Sequence, residues 1–240
     1  MVIEGDKEAE KQNDLVKVSK QAYNAIQLFM HFFPKTELDG ASRLTICVCK
    51  KPEDKPIYFY DSFFKISIYY VGEETLLRSQ NLQMDECDQF YLELIEAVLL
   101  DISKQIGKME LEDVIKTAVQ KVKEARYSLL IKMTRLSKRS KNRTYAATVF
   151  KHLQTQGELD FVEILDQNDE KNTYVITDGY VPFPLEWYAS QCEWEGNRFV
   201  LKDRLGGVQA YIDADKKTMY SIQSKNRTNT KSDFPNRMLL

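Results

Sequence analysis

The 240-residue chain has few of the residues that build metal and redox centres: four cysteines and two histidines. A structural zinc site takes about four ligands. Cys47, Cys49, Cys87, Cys192, His31 and His152 would be nearly exhausted by one ion, so neither a metal nor a cofactor is expected. A chain this long needs no disulfide staples, and the cysteines are read as inert thiols in a reducing compartment. Glycine is also scarce, at nine residues. There is no Gly-x-Gly-x-x-Gly. Gly107-Lys108 lacks the upstream glycine of a phosphate loop, with Ile102 in its place, and no Gly-x-Ser-x-Gly elbow occurs. Dinucleotide-binding, phosphate-loop and α/β-hydrolase readings all lose their signatures. No run approaches the roughly 18–20 apolar residues that span a bilayer. The opening Met1-Val-Ile-Glu-Gly-Asp-Lys-Glu is charged where a secretory signal is apolar. A cytoplasmic protein is expected, in which the sequons Asn142-Arg143-Thr144 and Asn226-Arg227-Thr228 stay unmodified.

Hydrophobic residues make up 43% of the chain and aromatics 11%, the composition of an ordinary globular protein of one or two domains. From about Glu8 to Phe33 the residues Leu15, Val18, Ala22, Ala25, Ile26, Phe29, Phe32 and Phe33 recur at helical steps until Pro34. Leu44–Lys50, Ile57–Tyr60 and Phe63–Val71 then read as strands of an antiparallel meander. Asp85 caps a predicted helix through Phe90, Leu94, Ile95, Val98, Ile102 and Ile106 that Gly107 closes. A second helix is read from Leu111 through Ile115, Ala118, Val122, Ala125, Leu129 and Met133 to Leu136, forming a helical hairpin whose apolar stripe is intramolecular core. A short helix follows at Tyr145–Gln154. Strands are then expected at Leu159–Leu165, Thr173–Thr177, Arg198–Lys202, Val208–Asp213 and Thr218–Gln223. Gly206-Gly207 reads as a turn. The expectation is an α+β protein: long helices packed on an antiparallel sheet over residues 1–137, a smaller β-rich part over 138–223, and a mobile basic tail over 224–240.

Charge is where the chain departs from the ordinary. Residues 125–157 hold Arg126, Lys132, Arg135, Lys138, Arg139, Lys141, Arg143 and Lys151 with no acid, a charge of +8. Residues 158–195 hold ten acids, among them Glu158, Asp160 and Glu163, against the single Lys171, a charge of −9. The whole chain carries only −2. Clustered charge of one sign acts over about a Debye length, roughly 8–10 Å.

His31, beside Phe29, Phe32 and Phe33, and His152 both read as structural. Glu193 and Glu195 flank Trp194, and Glu186 precedes Trp187. Carboxylates against an aromatic wall can make a hydrolase cleft, but alternating Glu-Trp-Glu also describes a half-buried strand. The order of basic segment, short helix and hairpin from Leu136 to Thr177 resembles the recognition-helix-plus-wing half of a winged helix-turn-helix domain. That resemblance implies phosphate contacts from Lys138, Arg139, Lys141 and Arg143. The hairpin expected to lie on DNA carries Glu158, Asp160, Glu163, Asp166, Asp169 and Glu170, which repel phosphate. A protein partner fits the polarity better. The expected role is therefore a non-enzymatic adaptor or complex subunit. Its partner would contact the basic elbow Lys132, Arg135, Lys138, Arg139, Lys141 and Arg143 and the acidic Glu158, Asp160 and Glu163. Nucleic-acid binding is the alternative, and a carboxylate-dependent hydrolase stands third. Internal pairing of the two charge blocks would remove the basis for any of them.

Overall fold

A computed structural model describes residues 1–5, 12–49, 51–177 and 185–222. It is α+β, about 32% helix and 34% strand. The chain divides into two compact units, one of residues Met1–Ile131 with His152–Glu158, the other of Lys132–Lys151 with the chain from Leu159 onward.

The first unit contains β1 (Val2–Gly5), α1 (Gln12–Phe32), β2 (Arg43–Val48), β3 (Tyr58–Asp61), β4 (Ile66–Tyr70), α2 (Glu73–Gln80), α3 (Met84–Gln105) and α4 (Leu111–Glu124); β5 (Leu129–Lys132) follows. The start of the α1 expectation, residues 8–11, lies outside the described residues. Val18, Ala22, Ala25, Ile26 and Phe29 form the buried face of α1. The antiparallel meander is corrected: the strand order is β1-β2-β4-β3, with β1 and β4 both parallel to β2 and β3 antiparallel to β4. The helix between β1 and β2 returns the chain to the same end of the sheet, which makes that pair parallel. β3 pairs on the outer edge of β4 and not between β2 and β4, so β2 and β4 also run parallel. Ile3, Ile46, Leu28, Phe29, Tyr91, Ile95, Ile102 and Ile115 form the centre of its core.

Gly107 closes α3 as expected, at φ 72, with its N–H on Lys104 O and the Lys108 N–H on Ser103 O. The start differs by two residues: α3 begins at Met84, and the Glu86 carboxylate accepts the Gln83 N–H at 2.9 Å. The second helix of the hairpin is shorter than the apolar stripe implied. It stops at Glu124, so Leu129 lies in β5 and Met133 and Leu136 lie beyond it. Among the described residues no helix is long and apolar enough to cross a membrane.

The second unit holds a 3-10 turn (Thr134–Leu136), β6 (Lys138–Arg139), β7 (Ala146–Gln154), β8 (Gly157–Leu165), β9 (Lys171–Thr177), a short α5 (Leu185–Tyr188), β10 (Gln191–Glu195), β11 (Arg198–Lys202), β12 (Val208–Asp213) and β13 (Thr218–Ser221). The end of the β7–β8 hairpin, His152–Glu158, belongs to the first unit. β6, β7, β8 and β9 pair in that order, and β10 to β13 form a four-stranded antiparallel meander. One core cluster draws Val149, Val162, Ile164 and Ile176 from the first of these sheets and Phe199, Leu201 and Ile212 from the second. The expected helix at Tyr145–Gln154 is instead β7, in which Ala147, Val149, Lys151 and Leu153 alternate inward. The strands expected at Arg198–Lys202 and Val208–Asp213 are present with those bounds. Residues 178–184, Gln223 and the tail 224–240 lie outside the described residues.

Candidate functional site: a cationic elbow

The basic elbow is held rigid by the residues between its cations. In the turn Thr134–Leu136, Met133 and Leu136 are 9% and 2% exposed, while Arg135 points outward. Ser137 Oγ donates to Met133 O at 2.9 Å and accepts the Val149 N–H at 3.0 Å, tying the segment to β7. β6 then pairs Lys138 with Ala147 and Arg139 with Ala146. The loop to β7 closes around Ser140, which is buried. Its Oγ donates to Asn142 Oδ1 at 2.8 Å and accepts the Tyr145 N–H at 2.9 Å. Asn142 Oδ1 also takes the Thr144 N–H at 3.2 Å, and Arg143 adopts φ 62. Short polar side chains thus satisfy the loop backbone from within. Lys141 and Arg143 are left facing solvent.

An aromatic bracket supports the elbow from β10. The Trp194 Nε1–H donates to Lys138 O at 2.9 Å, and the Tyr145 ring stacks on the indole at a centroid distance of 5.7 Å. The Tyr145 hydroxyl donates to Asp215 Oδ1 at 2.7 Å, a bond that pushes its pKa up to about 12. Sequence reasoning did not place Trp194 or Tyr145 at the elbow, because the contact spans some fifty residues and two sheets.

Lys132, Arg135, Lys138, Arg139, Lys141 and Arg143 are all exposed, and among the described residues none of them makes an ion pair. The acids downstream are engaged with other lysines. Glu163 pairs with Lys171 at 3.0 Å, Glu170 with Lys217 at 2.5 Å and Glu186 with Lys151 at 2.8 Å, while Lys202 takes both Glu193 and Glu195. Lys151, from the basic window, pairs across to the acidic window through Glu186.

Glu158 and Asp160 do not belong to an accessible surface. Both are 0% exposed. Asp160 Oδ2 accepts the Thr177 hydroxyl at 2.7 Å, and Glu158 Oε2 accepts the Tyr23 hydroxyl at 2.6 Å. Their strand β8 turns positions 158 and 160 inward together with Val162 and Ile164, which period-two alternation dictates. Glu163 faces the other way and is partly exposed.

The remaining candidates are accounted for by local contacts. His31 is exposed at the end of α1, its ring edge-on to Phe32. His152 Nε2 lies 2.9 Å from Ser128 Oγ, and burial lowers its pKa. Glu193 and Glu195 lie on a strand, as the Glu-Trp-Glu alternation implied, with Lys202 between them. The winged-helix resemblance loses its central element, because β7 occupies the place of the recognition helix. Among the described residues no group of three His, Cys, Asp or Glu side chains is placed to hold a metal ion. Compared with family models, curated proteins and solved structures, the chain matches none.

Proposed function

We propose that this protein is a non-enzymatic adaptor or complex subunit, acting in the cytosol, whose cationic elbow docks an acidic segment of a partner protein. One observation carries the reading: six solvent-facing cations stand within twelve residues and, among the described residues, make no ion pair with a carboxylate, while Ser140 and Asn142 hold the loop between them. Charge of this kind sets partner choice and on-rate more than affinity. An acidic peptide fits better than a duplex. A peptide can lie on the elbow alone, whereas a duplex presents a broad phosphate surface to the exposed Asp169 and Glu170 of the β8–β9 turn as well.

The test compares a fluorescent peptide of repeated Glu-Ala with a DNA duplex of arbitrary sequence at low ionic strength. The parent protein is expected to bind the peptide. The variant Lys138→Glu, Arg139→Glu, Lys141→Glu, Arg143→Glu should lose at least ~10-fold in affinity, the scale of reversing several close charges. An unaltered peptide affinity in the variant, or no peptide binding by the parent, overturns the proposal. A parent that prefers the duplex, with that preference lost in the variant, makes the elbow a nucleic-acid site instead.

A further inference from the structure

β10 runs beside the elbow and carries two carboxylates, Glu193 and Glu195. Trp194, in the middle of β10, reaches Lys138 O with its indole nitrogen. Glu193 and Glu195 flank it and share the opposite face of the strand, because side chains alternate. The Lys138 charge is felt here: it contributes to holding the Glu193 carboxyl below its ordinary pKa, after the larger effect of Lys202, and it opposes the rise that burial causes at Cys192. On that face β11, antiparallel to β10, sets Lys202 opposite Gln191 and diagonal to Glu193. From there Lys202 Nζ reaches Glu193 and donates to Glu195 Oε1, the latter at 2.7 Å. Its side chain is 19% exposed, whereas those of the two glutamates are 47% and 52% exposed. The lysine is thus the more buried member of the cluster and the carboxylates the more exposed ones.

We propose that Lys202 is a positioning residue for the elbow: by holding Glu193 and Glu195 it keeps an intramolecular anionic competitor away from Lys138 and its neighbours. The inference rests on the elbow as the anion-binding surface. Without the Lys202 charge, β10 presents two uncompensated carboxylates within the field of Lys138, and an incoming acidic segment must displace them. The same residue is a point of control, since any modification that removes its charge closes the elbow without touching it.

The decisive experiment uses the full chain, the Glu-Ala peptide and a charge-rescue series. Lys202→Met should weaken peptide binding by ~3–10-fold, as expected when an internal carboxylate pair competes for the same cations. Lys202→Arg should retain parental affinity. Lys202→Met combined with Glu193→Gln and Glu195→Gln should restore it, which a merely structural role for Lys202 does not predict. Equal binding by the parent and Lys202→Met overturns the proposal, as does a failure of the two glutamine substitutions to rescue. A second readout is independent of the peptide: carbon NMR titration of the Glu193 carboxyl in Lys202→Met. A pKa still held low shows Lys138 taking over the carboxylate, and a return to the ordinary range overturns the inference. If the parent itself fails to bind the peptide, the elbow reading fails, while the titration still decides whether Lys202 screens Glu193 from Lys138.

Discussion

Asp88 on α3 is 2% exposed, and its Oδ2 accepts the Thr155 hydroxyl at 2.6 Å and an Asn24 amide proton at 2.8 Å. Desolvation raises its pKa above the ordinary 3.8, and the two hydrogen bonds only partly offset the rise. An acid whose folded pKa lies above its unfolded value holds its proton more tightly when folded. Its stabilising effect is fully present below the unfolded pKa and is lost as pH rises through the folded one. The contribution of Asp88 is therefore lost as pH climbs above 3.8, against the opposite contribution of acids such as Asp39 and Asp213 whose pKa is lowered. Asp88→Asn should flatten that part of the profile, because the amide oxygen can still accept both donors. Asp88→Ala removes the acceptor of the buried Asn24 amide and of the half-buried Thr155 hydroxyl and should cost ~1–3 kcal/mol by chemical denaturation near neutral pH. A stability difference between parent and Asp88→Asn that does not fall as pH rises through this range would show that the Asp88 pKa is not raised. None of this was legible in the sequence, where Asp88 is one of 36 acids and its partners lie 64 and 67 residues away.

At the scale of elements, the largest departures from the sequence reading come from one missing signal. The apolar stripe of α4 continues through Ala125, Leu129, Met133 and Leu136, and no glycine or proline interrupts residues 108–156. Yet the helix ends at Glu124 in a left-handed cap built from ordinary residues. Arg126 and Tyr127 sit at φ 52 and 55, with the Arg126 N–H on Lys123 O and the Tyr127 N–H on Val122 O. Glycine is the residue that marks such a stop, and here it is absent. Arg126→Gly should relieve a left-handed strain of ~1–2 kcal/mol. Set against the entropy that glycine adds to the unfolded chain, ~0.5–1 kcal/mol, the net is a stabilisation of up to ~1.5 kcal/mol. Thermal or denaturant unfolding measures it, and a destabilised variant would mean that the cap draws more from the Arg126 side chain than from its backbone. β7 was misread for a related reason. Val149, Phe150 and Leu153 fit one helical face, and the strand alternation Ala147, Val149, Lys151, Leu153 is disguised by a buried lysine whose partner Glu186 is 35 residues on. Where a run of β-branched and aromatic residues is bounded by glycine or charge, as in β11 and β12, the strand bounds follow from the residues directly. The parallel pairing of β2 could not be read from its composition, because pairing depends on which edge β3 joins.

Across the whole chain a charge of −2 conceals the polarity that matters. The sequence identified the two blocks correctly as compositions but not as surfaces. Strand alternation turns Glu158 and Asp160 inward, while lysines from β9, β11 and the β12–β13 turn neutralise Glu163, Glu193, Glu195 and Glu170. Exposed pairs of this kind contribute little to stability, typically ~0–1 kcal/mol. Their consequence is electrostatic: among the described residues they shrink the acidic field and leave the elbow uncompensated. Asp169 remains exposed at the β8–β9 turn outside these pairs, and with Glu170 only screened by Lys217 the turn should still discriminate between polyanions. Neutralising Glu163→Gln, Asp169→Asn and Glu170→Gln together should raise duplex affinity by ~3-fold or more at low ionic strength, where fields extend beyond ~10 Å, and the gain should vanish toward 1 M salt, where they reach ~3 Å. Asn is compatible with the left-handed backbone at position 169, φ 61, so the turn should survive the change. Binding of the short acidic peptide, which can lie on the elbow alone, should change much less than binding of the duplex. If the triple variant binds the duplex no better at low salt, the turn carboxylates do not reach the elbow's ligand. The preference for a protein partner would then have to arise from the shape of the elbow and not from the charge around it.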